Sequence, residues 1–169
     1  MIGIWIQLVT FILFVSYIIY RFGIIKSISN SYYLLEPNKR FLFTILCWSI
    51  GFPLIFLEGR LFFLSAVGFV FTGVAADYKI PELTYKYLLH MTVQKRTMVW
   101  WVHHIGAGIG ILFSFLGIWI TFNQPELFII FLISTLVIYL FNIINKLWWI
   151  EILAFVLILI GLFKHIYTL

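Results

Sequence analysis

The sequence predicts an all-α, polytopic integral membrane protein: a bundle of six transmembrane helices forming one domain over residues 1–169, with an interfacial helix between spans 3 and 4. Three observations carry that expectation. The chain is 64% hydrophobic, 21% aromatic and only 10% charged, which leaves too little polar surface to coat a soluble globule. Its apolar residues fall into six runs, each near the length of the about 20 helical residues that cross a bilayer core. Its basic residues are sorted unevenly between the connections, as topology signals are.

Span 1 covers about residues 3–20. No basic segment precedes it and no A-x-A pattern follows Tyr20, so it reads as a retained span and not a removed signal peptide. Spans 2 (41–57) and 3 (61–76) are separated by Glu58-Gly59-Arg60, too little chain for anything but an antiparallel helical hairpin. Pro53 lacks a backbone donor and should kink span 2 or loosen a turn of it. Spans 4, 5 and 6 cover residues 99–122, 127–142 and 147–163. Two longer connections remain, 21–40 and 77–98. The second opens on Ile80-Pro81-Glu82, a fair helix start, and mixes apolar residues with Lys86, Lys95 and Arg96; residues 80–98 read as a helix lying on the cytoplasmic leaflet.

Orientation follows from the lysines and arginines. One side holds Arg21, Lys26, Lys39, Arg40, Lys79, Lys86, Lys95, Arg96 and Lys146, the other only Arg60 and Lys164. Nine against two places both longer connections in the cytoplasm and both termini outside it. Trp100, Trp101, Trp148 and Trp149 fall at the same boundary, where amphipathic rings favour the headgroup layer. The net charge of +5 therefore marks topology, and a nucleic-acid partner is not expected. The single cysteine, Cys47, lies in an apolar run, excludes an intrachain disulfide and reads as a small buried side chain.

At 100° per residue, His103, Gly106, Ala107, Gly110, Ser114 and Gly117 share one stripe of span 4, and Ser65, Gly68, Thr72 and Ala76 share one of span 3. In lipid, small residues let helix backbones approach and gain dispersion and polar contacts, so these two spans are expected to pack directly. The polar chemistry gathers at the cytoplasmic end. His103 sits on the packing face and His104 about 100° around from it. Asp77 closes span 3, Glu151 enters span 6, Asn142 and Asn145 end span 5, and Ser27, Ser29, Asn30 and Ser31 fill the first long connection. Ionisable residues at membrane depth are expensive enough to be functional candidates. The alternatives are plain: Asp77 pairs with a histidine to pin spans 3 and 4, and Glu151 snorkels or meets a lysine. Glu58, Arg60, Asn123, Glu126, Lys164 and His165, on the outer side, read as ordinary loop and end residues.

Ile28-Ser29-Asn30 after span 1, and His103-His104-Ile105-Gly106-Ala107 opening span 4, carry a resemblance. They are similar to the I-S-[DN] and H-x-x-G-A elements of the six-span superfamily that includes the DRAM autophagy modulators, the Sfk-type proteins and bacterial relatives. Ser31-Tyr32-Tyr33 stands where that family has a glycine. The resemblance implies a role in membrane-lipid homeostasis or remodelling, with no defined catalytic mechanism.

Three functions compete on these residues. The first is a non-enzymatic lipid-handling or regulatory protein in which Ser29, Asn30, Asp77, His103 and His104 bind a lipid headgroup or partner beneath the basic residues. The second is an accessory subunit of a larger membrane complex, or a homo-oligomer. The third is a metal-dependent lipid hydrolase with zinc on Asp77, His103 and His104 and Glu151 as acid/base. Span 6 lacks the H-x-x-x-H pair of the alkaline ceramidase and adiponectin-receptor enzymes, and adjacent histidines diverge, so no cofactor is favoured. Haem ligation and channel activity find still less in the chain. A bacterial inner membrane is the expected location.

Overall fold

In the computed structural model, which describes residues 2–76 and 93–168, every described element is helical. The helices are α1 (Ile2–Phe22), the single turn α2 (Ser31–Leu34), a 3₁₀ turn (Pro37–Lys39), α3 (Phe41–Ile55), α4 (Arg60–Val74), α5 (Val93–Phe122), α6 (Pro125–Leu140) and α7 (Lys146–Thr168). Three of them have segments long and apolar enough to cross a membrane: Ile2–Phe22, Met98–Phe122 and Lys146–Tyr167. The helices α4 and α6 are apolar but shorter. Asp77 lies outside the described residues, as does most of the segment expected to form an interfacial helix; its last residues, from Val93, are the first turns of α5.

The turn between α3 and α4 is made by Gly59 at φ +114°, a conformation closed to side chains with a Cβ. It folds the two helices into a hairpin, in which the Thr44 hydroxyl donates to the Gly73 carbonyl at 3.0 Å. Against the other face of α4 lies α5, and here the two small-residue stripes meet. A methyl group on Gly68 would sit 2.6 Å from the Gly106 carbonyl oxygen and 2.5 Å from the Gly110 nitrogen. The Ser65 hydroxyl lies 2.6 Å from both the Gly110 carbonyl and the Ser114 hydroxyl. Close backbone approach with polar contacts across it is the packing that holds helices where apolar burial supplies no net drive.

The helix α1 lies along α3. Gly3 meets Pro53, and the Gln7 amide donates to the Ile50 carbonyl at 2.7 Å, one turn before that proline. Behind α5 comes α7, with Gly161 against Ile118 and Leu127. The helix α6 is the most peripheral: only Leu127 of its 16 residues is buried. Contacts between elements separate the bundle into two ends. At one end Trp5 meets Phe163, Phe122 stacks on His165, and Lys164 bridges to Glu126 at 2.8 Å. The other end gathers the C-terminus of α1, the start of α3, the end of α4, the early turns of α5 and the start of α7.

Candidate functional site

The connection after α1 does not leave the bundle. Gly23, at φ +71°, ends α1 with its amide bonded to the Ile19 carbonyl at 2.9 Å, and the chain then turns back inward. Ile25, Ser27, Ile28, Ser31 and Leu35 are buried. The start of α7 fastens the segment: Asn145 Nδ2 donates to the Ile24 carbonyl at 3.0 Å, and the Trp148 amide to the Lys26 carbonyl at 3.1 Å. Two serines close the turn locally. Ser27 Oγ accepts from the Asn30 amide at 3.0 Å, and Ser31 Oγ donates to the Ile28 carbonyl at 2.5 Å. Tyr33 ties the far side to α4 by donating to the Ala76 carbonyl at 2.5 Å.

This turn carries Ser29 into the space between α5 and α7. There the Ile28 amide donates to the carboxylate of the half-buried Glu151, whose side chain borders a small cavity together with Ser29. His103, only 2% exposed, has Nε2 at 3.1 Å from Ser29 Oγ and Nδ1 at 3.0 Å from the Thr72 carbonyl. A carbonyl only accepts, so Nδ1 carries a proton. Four elements thus meet in one polar cluster: the connection, α4, α5 and α7. Beside it lies a cavity of about 30 Å³, bordered by Ser29, Phe43, Cys47, Thr72 and Glu151, a volume close to the share of one water in the liquid.

Of the residues expected to form a site, Ser29, His103 and Glu151 come together. Asn30 follows Ser29 in the turn, with its amide bonded to Ser27 and not to that trio. His104 points elsewhere: it is exposed, stacked on Trp100 at 4.2 Å, with Nδ1 2.8 Å from the Trp100 carbonyl. The two histidine rings stand 72° apart. Among the described residues no three His, Cys, Asp or Glu side chains come together as a metal site would need, and Asp77, the third ligand considered for zinc, lies outside them. Glu151, expected to snorkel or to meet a lysine, accepts from the Ile28 backbone amide. Trp148 also differs from expectation. It is 1% exposed, covered by the connection instead of lying in the headgroup layer, whereas Trp149 is 38% exposed.

The partners supplied by the backbone, the Ile28 amide and the Thr72 carbonyl, carry no signature in the sequence. One sign was present: Ile24, Ile25, Ile28, Leu34 and Leu35 make the connection too apolar for a solvated loop. Charged groups also lie along the connection and at the end of α1. Glu36 bonds Lys39 at 3.0 Å and lies 3.9 Å from Arg21; the Lys39 hydrogen bond holds its carboxyl below the ordinary value of 4.5. Arg40 lies over the Tyr32 ring at 5.3 Å. Comparisons with protein-family models, curated proteins and solved structures found no match to the chain.

Proposed function

We propose that the chain is a six-span integral membrane protein with both termini outside the cytoplasm, residing in a bacterial inner membrane, and that it handles membrane lipid without catalysing a reaction. The observation that carries the non-enzymatic reading is the size of the space at the polar cluster. About 30 Å³ admits one water but no scissile ester or amide, while pockets that take small-molecule ligands span about 300–1,000 Å³. Grooves of that larger size lie on the bundle's flanks. One of about 680 Å³ runs between α4 and α5, bordered by Val67, Phe71, Met98, Trp101, Ile105 and Ile109. Another, of about 670 Å³, runs between α1 and α7. Both are apolar and open sideways, a shape suited to acyl chains. In this reading the cluster anchors the cytoplasmic-side connection, and the basic residues Arg21, Lys26, Lys39 and Arg40 attract anionic headgroups.

The test is mass spectrometry of lipid retained by detergent-extracted protein, with elemental analysis of the same sample and of a His103→Ala, His104→Ala variant. Retention of one lipid class by metal-free protein is the expected result. Stoichiometric zinc that disappears in the variant would replace this reading with the hydrolase. Cysteine labelling at Lys39 and Glu126 tests the topology, with Lys39→Cys expected to react only from the cytoplasm.

A second reading, the accessory subunit, draws on α6. Ile129, Ile133, Leu136 and Leu140 are each more than half exposed along it, a face that suits lipid or another subunit equally. A stoichiometric protein partner recovered with the extracted chain would favour it.

A further inference from the structure

The helices of the bundle differ in how much hydrocarbon they can cover. Along α5, Thr121 lies beside the Gly59 turn and Trp101 is exposed toward the opposite end. The helix between them is about 30 Å long at 1.5 Å per residue, the thickness of an ordinary bilayer core. The uncharged stretch of α6 is shorter. It covers residues 127–141, between Glu126 and Asn142, and measures at most about 21 Å. In α3 and the turn after it, the uncharged residues 41–57, between Arg40 and Glu58, measure at most about 24 Å. Tilt only reduces these lengths.

Yet α6 reaches from one end of the bundle to the other. At its start Glu126 is bridged to Lys164, and past its end Asn145 Nδ2 is bonded to the Ile24 carbonyl, where α1 finishes. Because Phe122 stacks on His165 beside that bridge, α5, α6 and α7 share one level there. The shortfall of α6, about 9 Å against an ordinary core, therefore falls at the turn into α7. That turn is built for a membrane edge. The Val137, Tyr139 and Ile138 carbonyls accept from the amides of Phe141, Asn142 and Ile143, and Asn142 and Asn145 take left-handed φ values of 49° and 58°. The backbone is turned in on itself while the Phe141 and Ile144 side chains, 76% and 82% exposed, stand outward.

A short apolar stretch in a thicker bilayer is met by thinning of the bilayer, by snorkelling side chains or by oligomerisation. Snorkelling needs a long side chain that can extend. Asn142 is short, Glu126 is held by Lys164 at 2.8 Å, and the Lys146 amine lies 5.2 Å from the centre of the Tyr139 ring, beside the last turn of α6. The exposed face of α6 carries Ile129, Ile133, Leu136 and Leu140, branched side chains in place of the small residues by which α4 and α5 approach each other. We propose that α6 and the turn after it, residues 127–145, form a surface that takes phospholipids of short acyl chain and thins the cytoplasmic leaflet beside the bundle, with Phe141 and Ile144 at the edge of the hydrocarbon. The inference rests on the six-span reading, in which α6 crosses the membrane, and is independent of what the polar cluster does.

The test uses the full chain carrying Cys47→Ala, reconstituted in phosphatidylcholine vesicles whose monounsaturated chains range from about 14 to about 20 carbons. Nitroxides on Ile144→Cys and, in the middle of α6, on Ile133→Cys report depth and lipid contact. The Ile144 label is expected to stay at the headgroup edge in every bilayer, because the lipid adapts to the turn. Competition with dibrominated lipid, read by quenching of tryptophan fluorescence, should show the shortest chains bound about twofold or more tighter than the longest. An Ile144 label that sinks by several Å as the chains lengthen, or equal binding of all chain lengths, would overturn the thinning. An Ile133 label shielded from lipid-soluble oxygen would overturn the lipid occupant in favour of a protein partner. Thiol labelling of Glu126→Cys and Ile144→Cys keeps the two readings apart. Reaction from opposite sides, together with equal binding of all chain lengths, would overturn this inference alone; reaction from one side would overturn the six-span reading and this inference with it.

Discussion

Gly68→Ala puts the packing of α4 on α5 to a quantitative test. The added methyl would lie 2.5 Å from the Gly110 nitrogen, 2.6 Å from the Gly106 oxygen and 2.9 Å from the Gly110 Cα, all of them backbone atoms that cannot rotate away. Ordinary contact begins near 3.4 Å, so the helices must part by about 1 Å. Overpacking of this kind costs about 1–3 kcal/mol. The same movement stretches the hydrogen bond from Ser65 to the Gly110 carbonyl, now 2.6 Å, and an interhelical bond in a membrane protein is worth about 0.6–2 kcal/mol. Together these give a loss of about 2–5 kcal/mol. The control is Gly108→Ala on the same helix, where a methyl meets nothing within 4 Å; removing a helical glycine there should be neutral or stabilise by up to about 1 kcal/mol. Reversible unfolding in mixed micelles, titrated with dodecyl sulfate, measures both. Equal stabilities for the two variants would refute the argument that backbone contact between α4 and α5 organises the bundle.

Glu151→Leu leaves the buried Ile28 amide without its acceptor, so it should destabilise by about 1–3 kcal/mol and speed tryptic cleavage after Lys26, while Glu151→Gln stays close to wild type in stability. Gln7→Leu loses the bond to the Ile50 carbonyl but also removes an Oε1 that is buried with no partner among the described residues; the effects offset, and the unfolding midpoint should move by less than about 1 kcal/mol. At the other end of the bundle, the hydrogen bond from Lys164 holds Glu126 below its ordinary 4.5. A lowered folded value means that the stabilisation is present above pH 4.5 and is lost as pH falls through that lower folded value. Because both side chains are exposed, Glu126→Gln should have a small effect that vanishes in high salt, measured by unfolding at two ionic strengths.

The legibility of the polar cluster was uneven. Ser29, His103 and Glu151 were each visible as polar residues at the cytoplasmic end of their segments, and His103 could be placed on the packing face from helical periodicity alone. Their pairing could not be read. Asp77, the side chain expected to pair with His103, lies outside the described residues; among those described, His103 is hydrogen-bonded to the Thr72 carbonyl and to a serine of the first connection, a backbone partner that no side-chain pattern announces. Trp148 was misplaced for the same reason, since a tryptophan at a helix end looks alike whether lipid or a folded-back segment covers it.

Composition and periodicity by themselves determined the helical character of the chain, the presence of helices long and apolar enough to cross a membrane, three of the six expected spans reaching that length, the tight turn at Gly59 and the faces on which α4 and α5 meet. Each of these is a local property, set by side-chain volume and polarity at fixed spacing along one helix. Tertiary structure alone decided that residues 23–35 return into the bundle and that Glu151, Ser29 and His103 meet there. That meeting depends on backbone amides and carbonyls, which every residue but proline carries in the same form. Only the path of the chain selects which of them face a half-buried carboxylate and a buried imidazole.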